Sequence, residues 1–237
     1  MPDGSIQGFI SRTDLIGRTV QSVRTGRFSP HQVCEVTGGT VWSLGYDWGF
    51  RNLPDADHNV LHHYSFERGL LGSLVSLDSI SKDSHLSISD RLTNYLRCSN
   101  DRVSVYLGYV AEYIEVDAST GNLSRWNVDV ASAVGSETNG FAVTDEGKIF
   151  VDLDNERGPN GERKHGLYEL RAEPGNPIAS LTPVDGTVTV FESSKTVPEG
   201  TFLELWGADG NSLVVSRMGD GWGLSWARVF ATRTSPE

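Results

Sequence analysis

NGFAVTDEGKIFVDLDNERGPNGERKHGLYELRAEPGNPIASLTPV, residues 139–184, is the stretch that decides the fold. Four apolar runs lie in it: Gly140–Val143, Lys148–Leu153, Gly166–Arg171 and Ile178–Val184. Aspartate, glycine and proline separate them. Short runs rich in Val, Ile, Phe and Tyr, bounded by such residues, read as antiparallel strands. Asp145-Glu146-Gly147 joins the first pair and Ala172–Asn176 the last, both with turn composition. The stretch predicts a four-stranded meander.

Working outward, the same unit recurs. Tyr95–Ser99, Arg102–Gly108, Glu112–Asp117 and Leu123–Val130 form a copy over residues 95–130. Gln32–Val36, Thr40–Tyr46, Val60–Phe66 and Leu71–Leu77 form another over 31–77. Ser5–Ile10 and Thr19–Arg24 read as half a unit, 5–24. Thr187–Phe191, Thr201–Gly207, Ser212–Met218 and Trp222–Phe230 make a less regular copy, 187–230. Phe9, Phe66, Val116 and Leu170 take equivalent places, spaced by 57, 50 and 54 residues, and a glycine follows each at 17, 69, 121 and 175. Leu44-Gly45-Tyr46 recurs as Leu107-Gly108-Tyr109. No segment supports a helix of three turns; the nearest, Ser89–Leu96, runs into a strand.

A period near 50 residues with four strands per repeat is the signature of propeller blades. At the strand–turn–strand FAVTDEGKIFVDL the chain resembles the β-propeller superfamily, its NHL-like or gluconolactonase-like group in particular. The resemblance spans most of residues 5–230 as architecture and carries over no functional residue. It implies an all-β, single-domain propeller, 1–237, with about four to five blades in this chain. The ring is either closed by the N-terminal hairpin or is the C-terminal part of a larger propeller, the start at Met1-Pro2-Asp3-Gly4 favouring the second.

Composition bounds the partners. The chain has 237 residues and a net charge of −11. So negative a field repels phosphate backbones, which excludes nucleic acid and leaves cations, basic proteins and sugars. No apolar run is long enough for a membrane helix, and the N-terminus lacks a signal-peptide pattern. An extracytoplasmic location follows only if the N-terminus is truncated. Cys34 and Cys98 fit no zinc spacing. Lone cysteines in strands behave as small apolar residues, so two free, buried thiols are expected.

Long connections on a rigid scaffold carry binding function. Here they are Asp47–Asn59, Asp78–Asn94, Ala131–Asn139, Asp154–His165 and Glu192–Gly200. Together they define a face expected to meet a protein or a carbohydrate. In DWGFRNLPDADHN, Trp48 and Phe50 offer stacking surfaces, Arg51 a fork donor, and Asp55 and Asp57 carboxylates, with His58 beside them. Aromatics next to carboxylates suit a sugar or a cationic group. A capped, solvated loop whose aromatics pack on the neighbouring blade is the plainer reading of the same residues.

In DLDNERGPNGE, Asp152, Asp154 and Glu156 alternate as calcium ligands do. Arg157 and Arg163 replace the glycine and glutamate that an EF-hand needs, so a solvated acidic turn is the plainer reading of this Ca2+ or divalent-cation candidate. His62 and His63, adjacent in a strand, point to opposite faces and cannot both join His58 on a metal. Trp42, Trp126, Trp206, Trp222 and Trp226 read as core. No catalytic motif occurs. A non-catalytic binding or scaffolding protein is therefore expected, with a hydrolase or lactonase using a divalent metal as the alternative.

Overall fold

The computed structural model describes residues 7–49, 53–76, 94–154, 165–184, 187–190, 193–196, 203–218 and 224–230. Apart from 3-10 turns at Gly108–Val110 and Val130–Ser132, every regular element among the described residues is a strand. The chain is all-β, as the alternating runs and turn residues require.

β1 (Gly8–Asp14) and β2 (Thr19–Gly26) form a two-stranded sheet. β3 (Phe28–Glu35), β4 (Val41–Asp47), β5 (Asn59–Ser65) and β6 (Gly69–Ser76) form a four-stranded antiparallel meander. The next eight strands are β7 (Asn94–Ser99), β8 (Arg102–Leu107), β9 (Glu112–Asp117), β10 (Leu123–Val128), β11 (Glu137–Val143), β12 (Ile149–Asp154), β13 (His165–Arg171) and β14 (Ile178–Pro183). They share one sheet in the order β11-β12-β13-β14-β10-β9-β8-β7. β15 (Thr187–Val190), β16 (Ser193–Thr196), β17 (Leu203–Asp209), β18 (Ser212–Met218) and β19 (Leu224–Phe230) form a five-stranded sheet, order β16-β15-β19-β18-β17.

The expected meander at 139–184 is present, in register from Phe141↔Val151 to Tyr168↔Pro183. Its turn chemistry is as read: Gly147 sits at φ 78°, where a side chain is strained. The equivalent glycines at 69, 121 and 175 also have positive φ, whereas the first hairpin places Arg18, not Gly17, there.

The propeller expectation is corrected. The described sheets hold two, four, eight and five strands, not a series of separate four-stranded blades. β10 continues into parallel pairing with β14 through Asn127↔Ile178 and Val128↔Ala179. Asn127 N donates to Pro177 O at 2.9 Å and Asp129 N to Ala179 O at 3.0 Å. Backbone pairing therefore joins two meanders that the sequence periodicity separates. The NHL-like or gluconolactonase-like resemblance fails with the blades.

The chain divides into two compact units, residues 1–91 with 96–103, and residues 92–95 with 104–237. In the first, Ile10 and Val23 turn one face of the β1–β2 hairpin onto Val41 and Tyr64, with Phe66 against them. β1 starts later than expected, and Ile10 is buried while Phe9 is exposed, unlike Val116 and Leu170, whose place Phe9 was expected to share. A one-residue slip exchanges the two faces of a strand.

The cysteine expectation is also corrected. Cys34 and Cys98, both in the first unit, form a disulfide with Cα atoms 5.6 Å apart. Their strands lie side by side: Leu96 N donates to Gln32 Oε1 at 2.8 Å and Thr37 N to Asn100 O at 3.2 Å. That adjacency puts the Cα atoms inside the bridging range of roughly 7 Å, which equivalent places in neighbouring blades would exceed.

In the second unit β12 divides two apolar layers. Ile149, Val151 and Leu153 face a core with Tyr106, Tyr113, Trp126, Phe141, Tyr168 and Leu170. Phe150 faces the other way, onto Leu205, Leu213 and Val215 of β17 and β18. A Cβ at Gly140 would stand 2.2 Å from Leu205 O, so glycine there lets the β17 backbone come down onto β11. Trp42 and Trp126 are buried as expected, but Trp206 is half exposed. The β17–β18 register shifts between Leu205 and Gly207, and the bulge throws Trp206 outward. Trp222 lies outside the described residues. Tyr109 is likewise exposed, because Gly108 opens a 3-10 turn where its counterpart Gly45 continues a strand.

Candidate functional site

The 47–59 loop is held from below by one carboxylate. Asp47 ends β4 almost buried. Its Oδ1 accepts from Gly49 N at 2.7 Å and its Oδ2 from Asp57 N at 3.2 Å. The same side chain thus ties both ends of the loop, as short acidic side chains do at turns. Arg27 reinforces it from the start of β3. Its Nε lies 3.4 Å from Asp47 Oδ2, its Nη1 3.3 Å from Asp55 Oδ2, and its Nη2 donates to Asp55 O at 3.0 Å. Trp48 N donates to Arg27 O at 3.1 Å.

Asp57 closes the loop. Its Oδ1 accepts from Asn59 N and Asn59 Nδ2, both at 2.8 Å. Its Oδ2 lies 3.2 Å from His62 Nε2. His62 is buried, stacked on Phe28 with ring centroids 3.7 Å apart, and its Nδ1 is 2.9 Å from Tyr64 Oη. Burial would raise the Asp57 carboxyl, but the Asn59 hydrogen bonds and the His62 ring outweigh it and hold it below its usual range. Burial pushes His62 down despite Asp57, and pushes the Tyr64 hydroxyl up. The imidazole is therefore neutral around pH 7. With its hydroxyl in the core, Tyr64 serves the fold rather than a substrate.

Above this base stands an aromatic ladder. Trp48 meets Tyr46 edge-on at 5.3 Å, and Tyr46 meets His31 edge-on at 4.8 Å. Tyr46 is buried, while Trp48 is 47% exposed. The Asp55 side chain is 74% exposed on the same loop. The structure thus brings Trp48, Asp55 and Asp57 into one anchored loop. His58 lies half-buried between Asp57 and Asn59. Phe50 and Arg51 lie outside the described residues. Sequence reasoning missed Asp47 and Arg27, which position the loop. Asp47 carried a signal, as an acid at the junction of strand and loop; Arg27 carried none, because it lies 28 residues from Asp55 in the chain.

His62 and His63 do part company, His63 stacking on Trp42 at 4.2 Å. Burial, then the charge of Arg68, lowers its pKa.

The cation candidate sits elsewhere. Asp152, in the strand expected there, and Asp154 belong to β12 and are buried on its Phe150 face, so these two are not solvated; residues 155–164 of the acidic stretch lie outside the described residues. Asp152 Oδ2 accepts from Leu205 N at 3.2 Å, satisfying the β17 backbone that Gly140 admits. Glu156 lies outside the described residues. Among the described residues no three His, Cys, Asp or Glu side chains group to hold a metal ion.

No helix among the described residues is long and apolar enough to cross a membrane. No family model matches the chain. No curated protein matches it. Among solved structures it is similar to a luciferin-regenerating enzyme, at 15% identity and a TM-score of 0.45. The similarity covers 86% of this chain and 61% of that one, so the chain spans about three fifths of that protein's length.

Proposed function

We propose that the protein is a non-catalytic binding protein whose 47–59 loop takes a sugar or a cationic group of a protein partner. One observation carries the reading: Trp48 is half exposed on a buried aromatic base, in a loop where Arg27 holds both the Trp48 amide and the exposed Asp55. An aromatic face stacks on sugar C–H groups or on a cation, and a neighbouring carboxylate accepts from hydroxyls or ammonium groups. The loop's anchors lower the ordering that binding must supply. Titration of neutral, acidic and amino sugars and of methylated lysine peptides, followed by tryptophan fluorescence, tests it. Saturable binding lost in Trp48→Ala and weakened in Asp55→Asn supports the proposal. Binding equal in Trp48→Ala and the parent protein overturns it.

A second reading, a hydrolase using Ca2+ or another divalent cation, is favoured by the two buried carboxylates of Asp152 and Asp154 on one face of β12. Metal analysis of the purified protein, with Asp154→Asn as comparison, tests it. A stoichiometric ion absent from the variant supports this reading, and an ion-free parent protein removes it.

A further inference from the structure

We propose that the β1–β2 hairpin is an arm that seats on the acidic surface of a second copy of this chain. Its tip is apolar and projects into solvent: Leu15 is 85% exposed and Ile16 98%. Phe9 and Val20 add exposed apolar surface on the outward face. The hairpin is a two-stranded sheet. Its inward face already rests on Val41 and Tyr64, so the tip and the outward face are what remains to be covered. Large apolar side chains this exposed, adjacent at the tip, mark an interaction site when they are covered by a partner.

Charge selects the occupant. Residues 8–26 carry Arg12, Arg18 and Arg24 against Asp14, a net +2, leaving −13 for the rest of the chain. Arg12 is engaged by Glu35 and Gln21 and lies over Phe66. Arg18 and Arg24 are exposed. A basic, apolar arm on an acidic body is complementary to another such body, and reciprocal exchange of two arms gives a closed dimer. An anionic lipid surface would attract the same arm, and the vesicle experiment below distinguishes the two.

Sedimentation of the full chain from sub-micromolar to high-micromolar concentration, at low and high salt, tests this. The expected result is a dimer that weakens as salt rises. Leu15→Asp with Ile16→Asp should weaken association about tenfold or more without changing thermal stability, because both side chains are exposed. Arg18→Gln with Arg24→Gln, which leaves the hairpin without net charge, should weaken it and flatten the salt dependence. A chain monomeric at all concentrations in low salt overturns the proposal, as does a dimer indifferent to both double variants. Capture of a monomeric chain by phosphatidylserine vesicles, lost in Leu15→Asp with Ile16→Asp, overturns it in favour of a lipid surface.

Discussion

Asp57 Oδ2 and His62 Nε2 lie 3.2 Å apart, with the imidazole buried against Phe28 and the carboxylate half in water. This pair joins the loop to the core, and it makes the fold sensitive to acid. The folded state lowers the pKa of both partners. For each, the unfolded chain takes up its proton first as pH falls, so stability present above the unfolded pKa is lost below it. Melting temperature should fall from about pH 6.5 downward as His62 is forced to charge, and again below about pH 3.8 as Asp57 protonates. His62→Gln should flatten the first step. A melting temperature constant between neutral pH and pH 5 in the parent protein would refute this.

The disulfide closes a 64-residue separation between Cys34 and Cys98. Chain entropy alone makes such a cross-link worth about 4 kcal/mol. Thiol titration in denaturant should find no free thiol without reductant and two with it. Cys34→Ser with Cys98→Ser should lower the denaturation midpoint of the first unit. Two thiols titrating without reductant would show that the bridge does not form.

Gly140 and Gly147 fail differently when given side chains. Gly140→Ala drives a Cβ into Leu205 O and should cost about 1–3 kcal/mol by lifting β17 from β11. Gly147→Val strains a left-handed turn residue and should cost about 1 kcal/mol or more. Gly72→Ala, in β6 with open space around it, should stay within about 0.5 kcal/mol of the parent. Equal stability of all three in denaturant melts would contradict the packing described here.

Asp47→Ala removes the acceptor for two loop amides and a partner of Arg27. The expected loss is about 1–3 kcal/mol. Hydrogen exchange should speed up at the Gly49 and Asp57 amides and leave the β11–β12 ladder protected. Unchanged exchange at both amides would mean the loop has another anchor.

Strands and turns were legible because alternation and turn glycines are local. The β11–β14 meander and the positive φ of Gly147 follow from residues a few places apart. What was not legible is set by pairings across long separations. Nothing near Cys34 marks β7 as its neighbour, and nothing near Val128 announces Ala179. Bulges hide as well: one residue inserted at Trp206 reverses its face without changing the look of the run. At the site, Trp48, Asp55 and Asp57 were visible as residue types in a long loop. Of their anchors, Asp47 was marked by its place at the junction of strand and loop, whereas Arg27 became visible only once β3 and β4 lay side by side.

The β11–β12 and β17–β18 turns are clasped to each other. Asp145 N donates to Gly210 O at 3.1 Å, Glu146 N to Asn211 Oδ1 at 3.0 Å, and Asn211 Nδ2 to Glu146 Oε1 at 2.7 Å. Neither loop can therefore be lengthened by itself. A peptide tag spliced between Glu146 and Gly147, or between Gly210 and Asn211, would disengage both hairpins at once. The Asp117–Asn122 turn, whose carboxylate accepts from the Ser119 and Thr120 amides and the Ser119 hydroxyl of the same turn, accepts such an insertion without disturbing a neighbour.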